Sequence, residues 1–183
     1  SQVRHLALTY PADAKASSMP RMLSEVTVET EVGWVRFATT HLEFFSPRQR
    51  AAQATRIQEL HLEASAQMRQ PPLDRPETAF SLVPQSPSMI VCGDFNFLPE
   101  SAAYRLLTEA VKAPYHALVD AWQRWQPDTP HPPTCGLHDV KQWPDGPHCR
   151  DFFFITSDLV DTVQKIEVNT ETAASDHQPV WLE

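Results

Sequence analysis

Residues 88–99 read Ser-Met-Ile-Val-Cys-Gly-Asp-Phe-Asn-Phe-Leu-Pro, and this stretch decides the fold class. Its apolar run, Met89–Cys92, stops at Gly93, and Asp94 and Asn96 follow with one residue between them. A short apolar run bounded by a glycine is typical of a buried β-strand. On an extended chain, side chains at alternate positions point to the same side. The stretch therefore predicts a buried strand that ends at a polar site.

A second strand pair lies upstream of this stretch. Val26 and Val28 alternate with polar residues, and Val35 and Phe37 do the same after a turn at 31–33. Alternation with a period of two is the pattern of half-buried strands, and a short turn between two such runs predicts a β-hairpin.

Helices are predicted on both sides of the 88–92 strand. Ser46 and Pro47 supply a helix N-cap and a proline in the first turn, and apolar residues at three- and four-residue steps extend the helix to about Met68. A second helix is predicted over residues 101–111.

The C-terminal part of the chain is richest in predicted strands. The unbroken apolar run at 151–156 predicts a strand buried on both faces, and residues 163–169 and 178–183 close the chain as further strands. Two proline-rich stretches, 70–88 and 126–149, predict long irregular loops. Together these elements predict a mixed α/β fold, with residues 1–183 in a single domain.

Composition excludes several classes of protein. The net charge of −8 argues against a broad basic surface for a nucleic-acid backbone, and no apolar stretch approaches the ~20 residues of a membrane span. Three scattered cysteines do not predict a disulfide framework. With no signal peptide visible, we expect a cytoplasmic protein.

Polar residues next to the predicted strands form four clusters. They are His41, the pair Asp94 and Asn96, Asp151, and the pair Asp176 and His177. Strand ends that each present an Asp, Asn or His are expected to converge on one pocket in a layered α/β fold. Carboxylate and carboxamide oxygens suit Mg²⁺ or Mn²⁺, so these clusters predict metal-assisted hydrolysis of a phosphodiester.

Four motifs resemble those of the endonuclease/exonuclease/phosphatase superfamily. They are THLE (40–43), GDFN (93–96), RDFFFITSDL (150–159) and SDH (175–177), and they occur in the order typical of that superfamily. The resemblance covers residues 26–183. It implies a DNase I-like fold, a four-layered β-sandwich flanked by helices.

The resemblance also implies a shortened domain. Members of the superfamily begin with an Asn-bearing strand and a Gln-Glu pair whose Glu is a metal ligand, and residues 1–25 contain no such pattern. We therefore expect the chain to correspond to the C-terminal majority of the domain, without the N-terminal strands.

Roles for individual residues follow from the resemblance. It implies that Asp94 activates the attacking water, and that Asp94, Asn96 and Asp176 hold Mg²⁺ or Mn²⁺. Asn96 would also position the phosphate.

The resemblance implies that His41 and His177 contact the phosphate. His177 would be oriented by Asp151, and we expect the two side chains to lie within about 2.6–3.2 Å of each other. In the third motif, the arginine usually found two residues before this Asp is displaced to Arg150, and Phe152 replaces a tyrosine.

The implied activity is that of a Mg²⁺-dependent phosphodiesterase or nuclease-like hydrolase. Its partner would be a phosphodiester substrate, and a nucleic acid, a protein–DNA adduct and a phospholipid head group all stay open. The alternative is a non-catalytic binding module that keeps the fold without the metal site.

Two further features have competing interpretations. Cys135, His138, His148 and Cys149 could bind zinc, but the adjacency of His148 and Cys149 is poor geometry for one tetrahedral site. Trp122 and Trp125 are spaced as on one helical face, which favours core packing over base stacking.

Overall fold

The computed structural model describes residues 3–183. The strands are β1 (Val3–Ala7), β2 (Met22–Thr30), β3 (Gly33–His41), β4 (Met89–Asp94), β5 (Leu118–Asp120), β6 (Asp151–Thr156), β7 (Ile166–Val168) and β8 (Val180–Leu182). The helices are α1 (Pro47–Arg69), α2 (Ala102–Leu107) and α3 (Ala121–Trp125), and a 3₁₀ segment spans Ser157–Thr162. The mixed α/β class is confirmed.

Six strands form one sheet in the order β1-β2-β3-β4-β6-β5, and β7 pairs with β8 in a second sheet. Within the larger sheet β3 and β4 run parallel, connected through α1, whereas the other described neighbours are antiparallel. The register places His41 opposite Asp94 and Asp94 opposite Asp151. The sheet therefore brings three of the predicted site residues side by side.

Helix α1 covers one face of the six-stranded sheet. Ser46 Oγ accepts a hydrogen bond from the Gln49 amide at 3.1 Å and donates to Asp13 at 2.6 Å, and Pro47 occupies the first turn. The predicted helix start is therefore confirmed. The core under α1 includes Ala54, Ile57 and Leu60 of the helix with Leu23, Met89, Val91 and Phe154 of the sheet.

Helix α2 is shorter than predicted and ends at Leu107 instead of Val111. The amide and the Oγ1 of Thr108 both donate to the carbonyl of Tyr104, each at 3.0 Å. The Thr108 side chain therefore adds a second hydrogen bond to the last turn, at the residue that caps the helix.

The opposite face of the sheet is covered only in part. The β7–β8 pair and α3 pack against it through a cluster that contains Ile155, Leu159, Ile166, Ala121 and Trp122. The remainder, here called the open sheet face, is formed by Val3, Val26, Phe37, Ile90, Cys92 and Phe153, which line a shallow cavity of about 350 Å³. Val3 is 62% and Phe37 38% exposed.

The face beneath α1 buries a charged network. Arg36 is fully buried and donates from Nη1 to Glu25 at 3.0 Å and from Nε to the Ser86 carbonyl at 2.7 Å. Its Nη2 lies 2.7 Å from Nδ1 of His61, whose Nε2 lies 2.7 Å from the His116 carbonyl. Because a guanidinium can only donate, the His61 proton is on Nε2. The network links β2, β3, α1 and the end of the 70–88 loop.

In the β2–β3 hairpin, charged residues face the covered side of the sheet and valines face the open side. Val26 and Val28 are half-buried on the side of the open sheet face, while Glu25 and Arg36 occupy the covered side. The predicted hairpin is confirmed, with a turn at 31–32. Its charged residues can face the core because they neutralise each other there.

The two tryptophans near α3 differ in their surroundings. Trp122 is buried and its Nε1 donates to the Thr129 carbonyl at 2.9 Å, as core packing predicts. Trp125 is 42% exposed, so the same prediction is wrong for it. Helix α3 has only five residues, and its buried residues, Ala121 and Trp122, are the first two.

The proline-rich stretches are irregular, as predicted, apart from isolated bridges at Cys135 and His148. Within residues 3–183, every helix is too short or too polar to cross a membrane.

Candidate active site

The ends of three neighbouring strands form the centre of the site. His41 ends β3, Asp94 ends β4 and Asp151 opens β6, and the Nε2 of His41 lies 3.3 Å from Oδ2 of Asp94. Gly93, with φ +139°, allows β3 and β4 to approach at this point, since a Cβ there would lie 1.9 Å from the carbonyl oxygen of Thr40. Gly93 and the strand register thus align the polar side chains at the ends of the three strands.

His177 reaches this centre from the loop before β8. Its Nδ1 lies 2.8 Å from Oδ2 of Asp151, within the expected range, and its Nε2 lies 3.9 Å from Oδ2 of Asp94 and 3.9 Å from Oδ2 of Asp176. The two residues are not brought together by neighbouring strands of one sheet, because β6 belongs to the larger sheet and β8 to the second. An isolated antiparallel β-bridge between the backbones of Cys135 and His177 holds the loop in place instead.

Thr134 completes the support of Asp151. Its Oγ1 donates to Oδ2 of Asp151 at 2.6 Å and accepts from the amides of Arg150 at 2.9 Å and Asp151 at 3.0 Å. The hydrogen bond that the Asp151 carboxylate accepts from His177 raises the pKa of His177 above its usual range. Thr134 was not predicted from the sequence, because it lies in a proline-rich loop with no local sign of its partner.

The Asp94 carboxylate is half enclosed by the strands. Burial raises the pKa of Asp94, and the charge of Asp151 acts in the same direction. The Asn96 amide, which donates to Oδ1 at 2.8 Å, and the two imidazoles oppose the increase. A carboxylate whose pKa is moved toward neutrality is a better general base.

Asn96 does not have the extended conformation that the sequence predicts. Its φ is +51°, in the left-handed region, and its side chain is 2% exposed. Nδ2 donates to the Leu42 carbonyl at 2.9 Å, and Oδ1 accepts from Nη1 of Arg150 at 3.1 Å. The carboxamide therefore ties the ends of β3, β4 and β6 together and fixes the amide that bonds Asp94.

Arg150 lies between aromatic rings next to the site. Its guanidinium carbon is 5.2 Å from the ring centre of Phe44 and 4.9 Å from that of Trp143, and its Nε donates to Nε2 of His148 at 2.7 Å. The Trp143 ring also contacts His177, with ring centres 5.8 Å apart. These aromatic partners come from separate loops, which is why sequence analysis did not find them.

A second arginine supports the loop after His41. Nη1 of Arg50 donates to the carbonyls of Glu43 and Phe44, both at 2.7 Å. Arg48 and Arg50 stand near the N-terminus of α1, where a helix dipole disfavours positive charge and where no acidic residue is present. A positive charge at this unfavourable position is the feature of the sequence that could have indicated a role for Arg50.

The donors around Asp94 do not fit a complete Mg²⁺ site. Asp94 and Asp176 offer carboxylate oxygens around one imidazole nitrogen, but one oxygen of Asp176 accepts from Gln142 at 2.7 Å and Oδ1 of Asn96 accepts from Arg150. Among residues 3–183, no group of three or more His, Cys, Asp or Glu side chains could hold a metal ion. The structure therefore assigns at most two carboxylates to a cation.

The zinc alternative finds no support among the same described residues. Burial raises the pKa of both the Cys135 and the Cys149 thiols. Both ring nitrogens of His148 are already hydrogen-bonded, Nδ1 to the Gly146 carbonyl and Nε2 to Nε of Arg150, each at 2.7 Å, so this imidazole offers zinc no free nitrogen. His138 Nε2 lies 3.0 Å from the carbonyl of Thr170, away from any described cluster of ligands.

Solved structures with the same fold include two from Bacteroides. A mannosyl-6-phosphatase of Bacteroides thetaiotaomicron superposes with a TM-score of 0.65 at 18% identity, over 100% of this chain and 65% of that one. An endonuclease/exonuclease/phosphatase of Bacteroides vulgatus gives 0.64 at 19% identity, over 100% and 65%. The human Nocturnin catalytic domain gives 0.55 at 18% identity, over 100% and 59%.

This chain thus spans about two thirds or less of the length of these structures. No curated protein matches its sequence. The sequence model of the Endonuclease/Exonuclease/phosphatase family matches residues 14–177, which include His41, Asp94, Asp151 and His177. The resemblance noted in the four motifs is therefore confirmed, and the chain belongs to the Endonuclease/Exonuclease/phosphatase family.

Proposed function

We propose that the protein is a metal-dependent phosphoester hydrolase that cleaves a phosphodiester by in-line attack of water. One observation carries the proposal: His41, Asp94 and Asp151 are aligned at the ends of three adjoining strands, and His177 is bonded to Asp151 with its other nitrogen turned toward Asp94. Membership in a family of hydrolases supports it. A nucleic acid, a protein–DNA adduct or a phospholipid head group would supply the diester.

Asp94 is assigned the general base. Its carboxylate takes a proton from water as the water oxygen bonds to phosphorus, while the bond from phosphorus to the leaving oxygen breaks. The leaving alkoxide takes a proton from solvent, and Asp94 returns its own proton to solvent. The raised pKa of Asp94 brings its basicity closer to the working pH.

The imidazoles of His41 and His177 are assigned to the phosphoryl oxygens. Nδ1 of His177 donates to the Asp151 carboxylate, so Nε2 donates to a phosphoryl oxygen when the imidazole is protonated, the form that this hydrogen bond favours. A donor aimed at oxygens on which charge increases contributes roughly 10²–10³ in rate. Asp151 and Thr134 act through His177 as positioning residues.

Mg²⁺ or Mn²⁺ is proposed as the cofactor on the chemistry of Asp94 and Asp176, which would provide two of its oxygen ligands. When bound, such an ion supplies positive charge at the phosphoryl oxygens. The described residues do not complete its coordination shell, so no step is assigned to it.

The variant Asp94→Asn tests the assignment. It keeps the shape and the acceptor for the Asn96 amide but removes the base, so kcat for bis(p-nitrophenyl) phosphate with Mg²⁺ should fall at least 10²-fold. The melting temperature should change by no more than a few degrees. Asp161→Asn, an exposed carboxylate in the 3₁₀ segment, is the matched control and should keep the wild-type rate.

A near-wild-type rate for Asp94→Asn would refute the role of Asp94. If the wild type binds phosphate without hydrolysing any diester, the result would support the alternative function, a binding module that keeps the family fold.

A further inference from the structure

We propose that Phe44 and Phe45 form an aromatic ledge that binds a planar aromatic ring attached to the substrate phosphate. The inference rests on the proposed function and narrows its substrate class. It places a specificity site in the loop between β3 and α1, directly after His41 and outside the residues assigned to catalysis.

The ledge adjoins the phosphate site through one intervening ring. The ring centres of Phe44 and Trp143 are 6.0 Å apart, and those of Trp143 and His177 are 5.8 Å apart. Trp143 itself is buried, so the surface that a ligand would meet belongs to Phe44 and Phe45. A single buried ring therefore separates Phe44 from His177.

The loop that carries the ledge is held rigidly. Glu43 is 1% exposed, and its two carboxylate oxygens accept from the amides of Phe45 at 3.0 Å and Met19 at 3.1 Å. The Glu43 amide donates to the Gln53 side chain at 2.8 Å, and Arg50 bonds the carbonyls of Glu43 and Phe44. With its backbone fixed from both sides, the loop keeps the two rings at the surface.

This exposure is unusual for two adjacent large rings. Phe44 is 38% and Phe45 63% exposed, and the rings meet edge to face with their centres 4.8 Å apart at 85°. Single exposed apolar side chains are ordinary on protein surfaces, but a rigid aromatic pair beside a charged site is typical of a binding surface. Fixed rings bind with little loss of conformational entropy.

The geometry favours an aromatic ligand over an alkyl chain. Two perpendicular rings offer both a face and an edge, and aromatic rings prefer offset-stacked and edge-to-face contacts with other rings. The Arg150 guanidinium lies over the Phe44 ring and fixes it further. A nucleobase and a phenolic ester both provide such a ring, at different distances from the phosphate.

Two matched pairs of ligands test the ledge by calorimetric titration of the full chain with Mg²⁺ present. Phenylphosphonate against methylphosphonate tests a ring joined directly to phosphorus, and adenosine 5′-monophosphate against ribose 5-phosphate tests a base. In one pair, the aromatic member should bind about tenfold more tightly to the wild type. The pair that shows the difference identifies the source of the ring.

The affinity ratio is that of the aromatic ligand to its non-aromatic partner. Phe45→Ala should reduce this ratio to within twofold of one, and Phe45→Trp should keep it at the wild-type value. Phe80→Ala, in the 70–88 loop, is the control, because Phe80 is also a highly exposed phenylalanine (70%) and should leave the ratio at the wild-type value.

A wild-type ratio near one in both pairs would overturn the ledge while leaving the hydrolase proposal intact. If the phosphonate pair shows the difference, hexylphosphonate binding as tightly as phenylphosphonate would overturn the ledge as well. Failure of every phosphonate and phosphate to bind would overturn the phosphate site itself, and the ledge with it.

Discussion

The imidazole of His61 keeps its two hydrogen bonds only while it is neutral. Nδ1 accepts from Arg36 and Nε2 donates to the His116 carbonyl, each at 2.7 Å. A proton on Nδ1 would remove the acceptor and add a second positive charge beside the guanidinium. Burial is the largest cause that lowers the pKa of His61 from 6.5 to about 4.

This shift predicts a pH-dependent stability. Between pH 6.5 and 4 the unfolded chain binds a proton at residue 61 that the native state does not, so the free energy of unfolding decreases as the pH falls through that window. The loss should be roughly 2 kcal/mol between pH 6.5 and 5. Urea denaturation at pH 7, 6 and 5 measures it.

His61→Gln should be less stable at pH 7 but should lose less stability on acidification. His5→Gln, at an exposed position, should keep the wild-type slope. Equal slopes for wild type and His61→Gln would show that the pKa of His61 is the same in the native and the unfolded protein, and would contradict the shift.

Single residues also show what the sequence could predict about the site. The Asp151–His177 contact was predictable because each residue belongs to a motif with a known partner. Thr134 and Arg150 were not, since their contacts depend on how a proline-rich loop packs against β6. The local sequence does not indicate that this loop packs against β6.

At the scale of elements, Gly93 determines how closely β3 and β4 can pair. Gly93→Ala should cost more than 4 kcal/mol or prevent folding, because its Cβ would lie 1.9 Å from a backbone oxygen of β3 and φ is +139°. Gly33→Ala is the control: φ is +102° but no atom lies within 4 Å, so only backbone strain of about 1–2 kcal/mol is expected. Thermal and urea unfolding of both variants measure the difference, and equal costs would contradict the close approach.

Helix α1, the hairpin and β6 follow local patterns and were predictable as elements. The faces of the hairpin were not, because Arg36 and Glu25 satisfy each other inside the core and periodicity ignores such pairing. The end of α2 lies at Leu107, with Thr108 as its C-cap, before the predicted end at Val111, and the periodic pattern of the sequence does not mark it.

At the scale of the whole molecule, the open sheet face leaves apolar side chains in contact with solvent. Exposed apolar patches promote association. The chain should therefore self-associate as its concentration rises and should bind 1-anilinonaphthalene-8-sulfonate. Phe37→Ser should weaken both effects, as measured by sedimentation velocity and dye fluorescence.

Val140→Ser is the control for this prediction. Val140 is 68% exposed but lies outside the open sheet face, so its replacement should leave association unchanged. A wild type that stays monomeric at high concentration and binds no dye would contradict the prediction.

The parallel pairing of β3 with β4 has a consequence for the order of events during folding. Antiparallel β2 and β3 can pair as soon as a tight turn closes, whereas β3 and β4 meet only after the intervening helix and loop are in place. Contacts between distant segments require more chain entropy to be lost before they form. His41 and Asp94 therefore meet late, and the candidate site should form only after most secondary structure is present.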